Sequence, residues 1–179
     1  MKKLKGRQVK WLKGIHILAA GIWVTTGIVM LSFVFFMPEK ISTGPQLYIS
    51  NYILYFIDVY ILPPAAILCL LTGLIYSAFT GWGFFKHKWI SVKWVITISV
   101  ILLGMFVSEP LIQEMVVLSK DKGLGALHSQ QYVQTRLHQN ALGVLMLSSL
   151  VFAIFVSVLK PWKKRKVKKP GDKTKRFIS

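Results

Sequence analysis

Hydrophobic positions along the chain fall into four long runs, separated by short polar stretches. The runs cover residues 11–36, 52–79, 92–118 and 137–160, and charged side chains are rare inside them. A helix rises about 1.5 Å per residue, so each run is long enough to cross the roughly 30 Å hydrocarbon layer of a bilayer. The pattern predicts an all-α protein, a transmembrane four-helix bundle.

Prolines indicate where these helices end or bend. Pro38 follows the first run, and a proline cannot continue the backbone hydrogen-bond ladder of a helix. Pro63 and Pro64 interrupt the second run, which we expect to kink or unwind locally. Glu109 precedes Pro110 in the third run, so a carboxyl group is predicted at a distorted point within the membrane, where it needs a partner.

Lysine and arginine are distributed unevenly between the ends of the runs. Of the 23 residues, six lie in 1–14, three in 86–93 and ten in 160–179, which leaves four for the two other connectors. Positive charge accumulates on the cytoplasmic side of membrane proteins, so both termini are predicted to be cytoplasmic. Residues 163–179 are expected to form a basic, disordered cytoplasmic tail that anionic lipid attracts.

Composition narrows the class of protein further. The chain has 179 residues, a net charge of +17 and 54% hydrophobic residues. Both basic clusters adjoin apolar runs, which favours a membrane surface over nucleic acid as their partner. The first run is too long for a removable signal peptide and lacks its cleavage pattern, so we expect a retained anchor. The single cysteine, Cys69, cannot form an intrachain disulfide.

One face of the first predicted helix carries the first candidate for chemistry. His16 shares this face with Ala20, Trp23 and Gly27, which follow it by four, seven and eleven residues. The small residues suit either close packing of a neighbouring helix or a flat prosthetic group. A histidine near a helix end is also often an interfacial group hydrogen-bonded to a carbonyl, and that alternative stays open.

Depth along the spans predicts two polar layers. His16 and Lys93 fall in the cytoplasmic-side part of helices one and three, although Lys93 is also explained as a topology anchor that extends to the interface. The other polar groups fall toward the outer side, with Arg136 at the rim. That outer set comprises Asp58, Glu109, Gln113, His138 and Asn140.

The two intramembrane histidines are predicted to lie about 20 Å apart, by the helical rise. One haem with His16 and His138 as its two axial ligands is therefore disfavoured, and each could instead ligate a haem of its own. Asp58 and Glu109 are expected to be functional or to be bridged within the protein to Arg136 or His138, because carboxyl groups are costly at these depths.

Four segments together carry a resemblance to a known family. They read WLKGIHILAAGIWVTTGIVML, ILPPAAILCLLTGL with a following GW, WISVKWVITISVILLG and VSVLKPW. The chain resembles a bacterial integral-membrane family, domain of unknown function 2269, which belongs with the CopD-like copper-resistance proteins and the HemJ-type protoporphyrinogen oxidases. The resemblance covers most of residues 11–162.

The resemblance implies a four-helix membrane bundle and, on its HemJ branch, haem b with a helix-one histidine and a helix-three lysine. His16 and Lys93 match those two positions. The chain departs from HemJ late in helix one, where it has Phe36-Met37-Pro38 in place of an expected arginine, and this argues against protoporphyrinogen oxidation. It also lacks the methionine- and histidine-rich external loops that would favour copper handling.

These observations lead to a hypothesis of a haem b-binding protein of the bacterial cytoplasmic membrane, with electron-transfer or haem-related redox activity. His16 would ligate the iron, Trp23 would pack on the ring, and Lys93 would pair with a propionate or assist ligation. An outer site is expected to hold a second haem, or a quinone and a proton; its residues would be His138, Glu109, Asp58 and Arg136.

The sequence leaves two alternative functions and the binding partners of the protein open. One alternative is a non-enzymatic scaffold or accessory subunit, and the other is a small transporter that uses Asp58 and Glu109, which the Pro63-Pro64 break favours. The expected partners are the bilayer with its anionic lipids and a redox partner or quinone. The sequence also leaves a homo-oligomer open.

Overall fold

Helices make up almost all of the structure, a computed structural model that describes residues 4–80 and 87–160. No strand occurs within these two ranges. Four helical stretches are long and apolar enough to cross a membrane, namely Gly6–Phe36, Gly44–Phe79, Lys88–His128 and Gln130–Leu159. The predicted four-helix transmembrane bundle is confirmed.

Distortions divide the second and third spans, so six α-helices result. Their bounds are α1 (Gly6–Phe36), α2 (Gly44–Phe56), α3 (Leu62–Phe79), α4 (Lys88–Leu103), α5 (Glu109–Lys122) and α6 (Gln130–Leu159). A π-helical turn, Ile57–Ile61, joins α2 to α3, and a second one, Gly104–Ser108, joins α4 to α5. Short 3-10 turns follow α1 and α5.

Both π-helical turns lie directly before prolines. A proline ring clashes with the carbonyl four residues earlier and offers no N–H to it. A wider turn relieves this clash, and the amide of Leu62 accordingly bonds to the carbonyl of Ile57, five residues back. The amide of Glu109, next to Pro110, bonds in the same way to Gly104. The expected distortions at these prolines are therefore wide turns within continuous spans.

The second span changes its packing partner at its π-helical turn. Its half near the termini, α3, packs mainly on α1, whereas its outer half, α2, packs on α5. The last helix, α6, contacts α1 on one side and the two halves of the third span, α4 and α5, on the other. By contrast, α3 and α4 make little contact with each other. This loose junction places a cavity between them, on the side of the termini.

Two clusters of buried side chains form the core. The inner cluster comprises Ala19, Trp23, Ala65, Ala66, Cys69, Val100 and Leu150, and the outer cluster comprises Leu47, Met115, Leu118, Ala126 and Tyr132. Small residues on α1 and α3 allow these helices to approach closely, which is how helices associate in lipid. The outward faces are apolar instead, as Phe106 and Val158 show with about 70% of their surface exposed.

Local capping extends two helices beyond the predicted apolar spans. Thr43 accepts a hydrogen bond from the amide of Gln46, whose side chain returns to the Thr43 amide, so α2 begins at Gly44 instead of near residue 52. The side chain of Ser129 accepts a hydrogen bond from the amide of Tyr132, so α6 begins at Gln130, seven residues before its apolar run. The predicted disordered tail, residues 163–179, lies outside the residues that the structure describes.

Candidate functional site

The imidazole of His16 is held by a threonine of the neighbouring helix. His16 lies in the third turn of α1 and is half-buried, and its Nδ1 is 2.9 Å from Oγ1 of Thr72 on α3. Sγ of Cys69 is 3.9 Å from the same nitrogen. Gly73 lies beside the imidazole, since a Cβ at this position would be in van der Waals contact with Cε1 of His16, at 3.5 Å. The glycine has no Cβ, so this side of the ring is not covered.

The hydrogen bonds of Thr72 determine which nitrogen of His16 carries the proton. A threonine hydroxyl has one hydrogen to donate, and here it points to the carbonyls of Leu68 and Cys69, at 2.7 and 3.0 Å. Oγ1 therefore accepts from Nδ1–H of His16, and the lone pair lies on Nε2. Histidines that ligate metals are oriented in this way, through the nitrogen that does not bind the metal.

His16 faces a cavity that also contains a lysine. This inner cavity has a volume of about 130 Å³ and lies between α1, α3, α4 and α6; its walls include His16, Trp23, Gly73, Tyr76, Lys93 and Trp94. Lys93 is half-buried and close enough to His16 for their charges to interact. Within residues 4–80 and 87–160, no carboxylate lies in ion-pair range of Lys93. The inner cavity therefore favours an anionic group near its lysine.

A second cavity lies farther from the termini, on the other side of Trp23. This outer cavity has a volume of about 90 Å³, and its polar wall consists of Asn51, Asp58, Ser108, Gln139 and Asn140. Trp23 and Leu150 line both cavities and separate them. Asp58 and Ser108 belong to the two π-helical turns, which therefore meet at the same void.

Two amide oxygens in the outer cavity lack hydrogen-bond partners. Oε1 of Gln139 and Oδ1 of Asn140 are inaccessible to water and accept no bond from any group that the structure describes. Nε2 of Gln139 donates to Oγ of Ser108 at 2.8 Å, so one end of this side chain is fixed. A buried polar group without a partner costs about 1–3 kcal/mol. A turn of these side chains toward the cavity would bring the oxygens to a ligand.

The carboxyl groups predicted for the outer layer lie near each other. The Asp58 carboxyl faces the outer cavity, and Glu109 is close enough for the two charges to interact. No lysine, arginine or histidine of the described ranges forms an ion pair with either carboxyl. The expected bridges from these acids to Arg136 or His138 are therefore not formed here.

The remaining predicted outer residues do not join Asp58. His138 is exposed on α6 and lines none of the cavities described here. Arg136 borders a separate rim cavity of about 240 Å³ with Tyr132 and Asn51. Tyr132 is hydrogen-bonded to Asn51 and lies between Arg136 and the outer cavity. The structure thus places His16, Trp23 and Lys93 on one cavity, whereas neither His138 nor Arg136 lines the cavity of Asp58.

Sequence reasoning missed Thr72, which holds the imidazole of His16, and Gln139, which lines the outer cavity. Thr72 is a polar side chain inside an apolar run, and four residues separate it from the Leu68 carbonyl that its hydroxyl contacts. Gln139 is adjacent to Asn140, so a polar pair at the start of an apolar run was visible in the sequence. Neither pattern indicates which residue of another helix lies opposite Thr72 or Gln139, because that depends on how the helices pack.

The inner cavity fits a haem by its donor set and only in part by its volume. A free imidazole nitrogen, a lysine that no carboxylate of the described ranges pairs, and aromatic walls suit the iron, a propionate and the ring. The enclosed volume of about 130 Å³ is below the 300–1,000 Å³ typical of small-molecule sites. A porphyrin is larger than this void, so the helices as they stand would enclose only one edge of it.

The fold and the lipid-facing exterior define a multi-pass integral membrane protein built as a four-helix bundle. Within that class, the chain belongs to the family described as "Predicted integral membrane protein (DUF2269)", whose model matches residues 10–161. Comparison with curated proteins and with solved structures gave no match.

Proposed function

We propose that this protein binds haem b on the cytoplasmic side of a bacterial cytoplasmic membrane, with Nε2 of His16 as an axial ligand to iron. One observation carries the proposal. The hydrogen bond from Nδ1 to Thr72 leaves the metal-binding nitrogen of His16 free, in a cavity that also contains Lys93, for which the described residues provide no counter-ion.

The residues of the chain have separate roles in this proposal. Thr72 fixes the imidazole tautomer and its orientation, because its own hydrogen is directed to the α3 backbone. Lys93 would hold a propionate carboxylate by charge and hydrogen bonding. Trp23, which lines both cavities, would pack on the macrocycle and keep it apart from the outer cavity. When bound, haem supplies one-electron redox chemistry, and its potential depends on axial ligands and burial.

The proposal includes one haem and does not extend to a second haem or a quinone at the outer site. His138 is exposed and turned away from Asp58, so it offers no ligand there. The outer cavity of about 90 Å³ is also too small for a quinone ring without movement of the helices. A redox partner would have to reach the open side of the inner cavity, and anionic lipid would contact the basic termini.

A visible absorption spectrum of the full chain tests the proposal. We expect a Soret band in protein purified in mild detergent from haem-replete cells, and its loss in His16→Ala. His138→Ala is the matched control, because it removes an exposed histidine from the same bundle and should keep the band. Both variants should show the same helical circular dichroism as the wild type, so that loss of haem is separated from loss of fold.

Two outcomes would contradict haem binding at His16. The first is a colourless wild-type protein that also fails to take up added hemin. The second is a Soret band of equal intensity and position in His16→Ala. In either case a scaffold or accessory role, in which the polar side chains only tie the helices together, would explain the inner cavity better.

A further inference from the structure

We propose that the outer cavity binds a monovalent metal cation, Na⁺ or K⁺, through Asp58 and the amide oxygens of Gln139 and Asn140. This site is separate from the proposed haem site and does not depend on it. The inference starts from the two oxygens that accept no hydrogen bond although they are buried beside a carboxyl group.

Most of the polar groups that line the outer cavity carry an oxygen atom that can coordinate a metal cation. Asp58 contributes a carboxylate, Gln139 and Asn140 contribute amide oxygens, and Ser108 contributes a hydroxyl oxygen. Oxygen ligands of this kind suit hard metal cations rather than soft ones. A cation would satisfy both amide oxygens and neutralise Asp58, whose charge the nearby Glu109 would otherwise oppose.

The prolines also leave backbone carbonyls without amide donors at the two π-helical turns. Val59 is followed by proline at both 63 and 64, so its carbonyl lacks the amide donors four and five residues ahead. Pro110 likewise leaves a carbonyl without a donor in the turn Gly104–Ser108. Membrane transporters coordinate Na⁺ with backbone carbonyls at interrupted helices of this kind.

Charge and size favour a monovalent ion over a divalent one. The described part of the chain contains no group of three His, Cys, Asp or Glu side chains arranged to hold a metal. One carboxylate lines the cavity, and the remaining lining oxygens are neutral. A volume of about 90 Å³ admits an ion with a few waters but not the larger hydrated shell that Mg²⁺ retains.

Thermal unfolding in different salts tests the cation site. The full chain, in detergent at fixed pH and ionic strength, is heated in NaCl, KCl or N-methylglucamine chloride. We expect Na⁺ or K⁺ to raise the unfolding temperature in a saturable way, relative to the bulky organic cation. Binding of radioactive sodium, or of rubidium as a potassium substitute, to the same preparation provides a direct readout.

Four variants separate the cation site from general effects of salt. Asp58→Asn and Asn140→Leu should raise the half-saturating cation concentration at least ten-fold. Gln134→Leu, an exposed glutamine on the same helix, should leave it unchanged. His16→Ala should also keep the cation effect, which distinguishes this proposal from haem binding.

The proposal is overturned if the unfolding temperature is the same in all three salts and no radioactive ion binds. It is also overturned if Asp58→Asn responds to Na⁺ and K⁺ as the wild type does. A response to pH alone that disappears in Asp58→Asn would replace the metal cation with a proton, and it would likewise reject the proposal.

Discussion

At the residue scale, one hydroxyl group decides what His16 can do. A histidine in an apolar helix is ambiguous, because either ring nitrogen can carry the proton. Thr72 removes the ambiguity, since its single hydrogen is already directed to the backbone of its own helix. The imidazole therefore presents a lone pair to the inner cavity rather than an N–H, which suits a metal and not a carbonyl group.

Thr72→Val should weaken haem binding while the fold is kept. Valine has nearly the same shape but no oxygen, so Nδ1 of His16 loses its acceptor and the ring loses its fixed orientation. Removal of such a supporting hydrogen bond typically lowers metal affinity 10–100-fold. Hemin titration followed at the Soret band measures this change. Thr72→Ser should restore most of the affinity, and equal affinities for all three proteins would contradict the role assigned to the hydroxyl.

Tyr132→Phe should destabilise the outer half of the bundle. The Tyr132 hydroxyl is bonded to the Asn51 side chain, within 3.0–3.3 Å, and both residues are buried. Polar contacts between membrane helices contribute about 0.6 kcal/mol on average and up to about 1.7 kcal/mol. Reversible unfolding by denaturant in mixed micelles measures the loss. Tyr48→Phe, which has no such bond to Asn51, is the control and should cost less.

At the element scale, the wide turns set which residues face the cavities. Each π-helical turn adds a residue relative to a regular helix, so it rotates the part of the span that follows. Asp58 lies within the first such turn and Ser108 ends the second, and both residues reach the same cavity. A regular α-helix through these positions would turn their side chains toward other neighbours.

Replacing Pro63 and Pro64 by alanine should rebuild a regular helix and turn Asp58 away from the outer cavity. The two restored amides can bond to the carbonyls four residues earlier, which removes the cause of the wide turn. We expect the half-saturating Na⁺ or K⁺ concentration to rise at least ten-fold and the Soret band to be preserved. Pro45→Ala, at the start of α2, is the control and should change neither value.

The sequence predicted the membrane spans and their distortions, but it did not predict which side chains point into the cavities. Apolar length and proline positions predicted four spans and both distortions, because each depends on its own segment. The direction in which the His138 side chain points could not be predicted from its own segment. This residue lies next to Gln139 on the same helix, yet only Gln139 points inward, and this depends on how α6 rotates against α1 and α5.

At the scale of the whole molecule, the charge distribution and an even number of spans predict one orientation. The described chain begins and ends on the same side of the bundle, because it crosses four times, and lysine and arginine are most frequent in the sequence around those two ends. In this predicted orientation the inner cavity with His16 and Lys93 would lie near the cytoplasmic surface, and the outer cavity would lie beyond the bilayer centre. The two proposed sites would therefore be reached from opposite compartments.

Cysteine labelling in intact cells should verify this orientation. In a Cys69→Ala background, Lys120→Cys at the outer end of α5 should react with a membrane-impermeant maleimide added outside. Lys10→Cys, in the exposed first turns of α1, should react only after the membrane is permeabilised. The opposite pattern would invert the protein and place the His16 cavity on the outer face.

The indole of Trp23, together with Leu150, occupies the space between the inner and outer cavities. Shortening both side chains to alanine would join the cavities into one passage through much of the membrane's thickness. Water could then form a file along it, and protons would leak down their gradient. An intact indole at this position is therefore expected to keep the two cavities apart and the bundle closed to such a file of water, whatever each cavity holds.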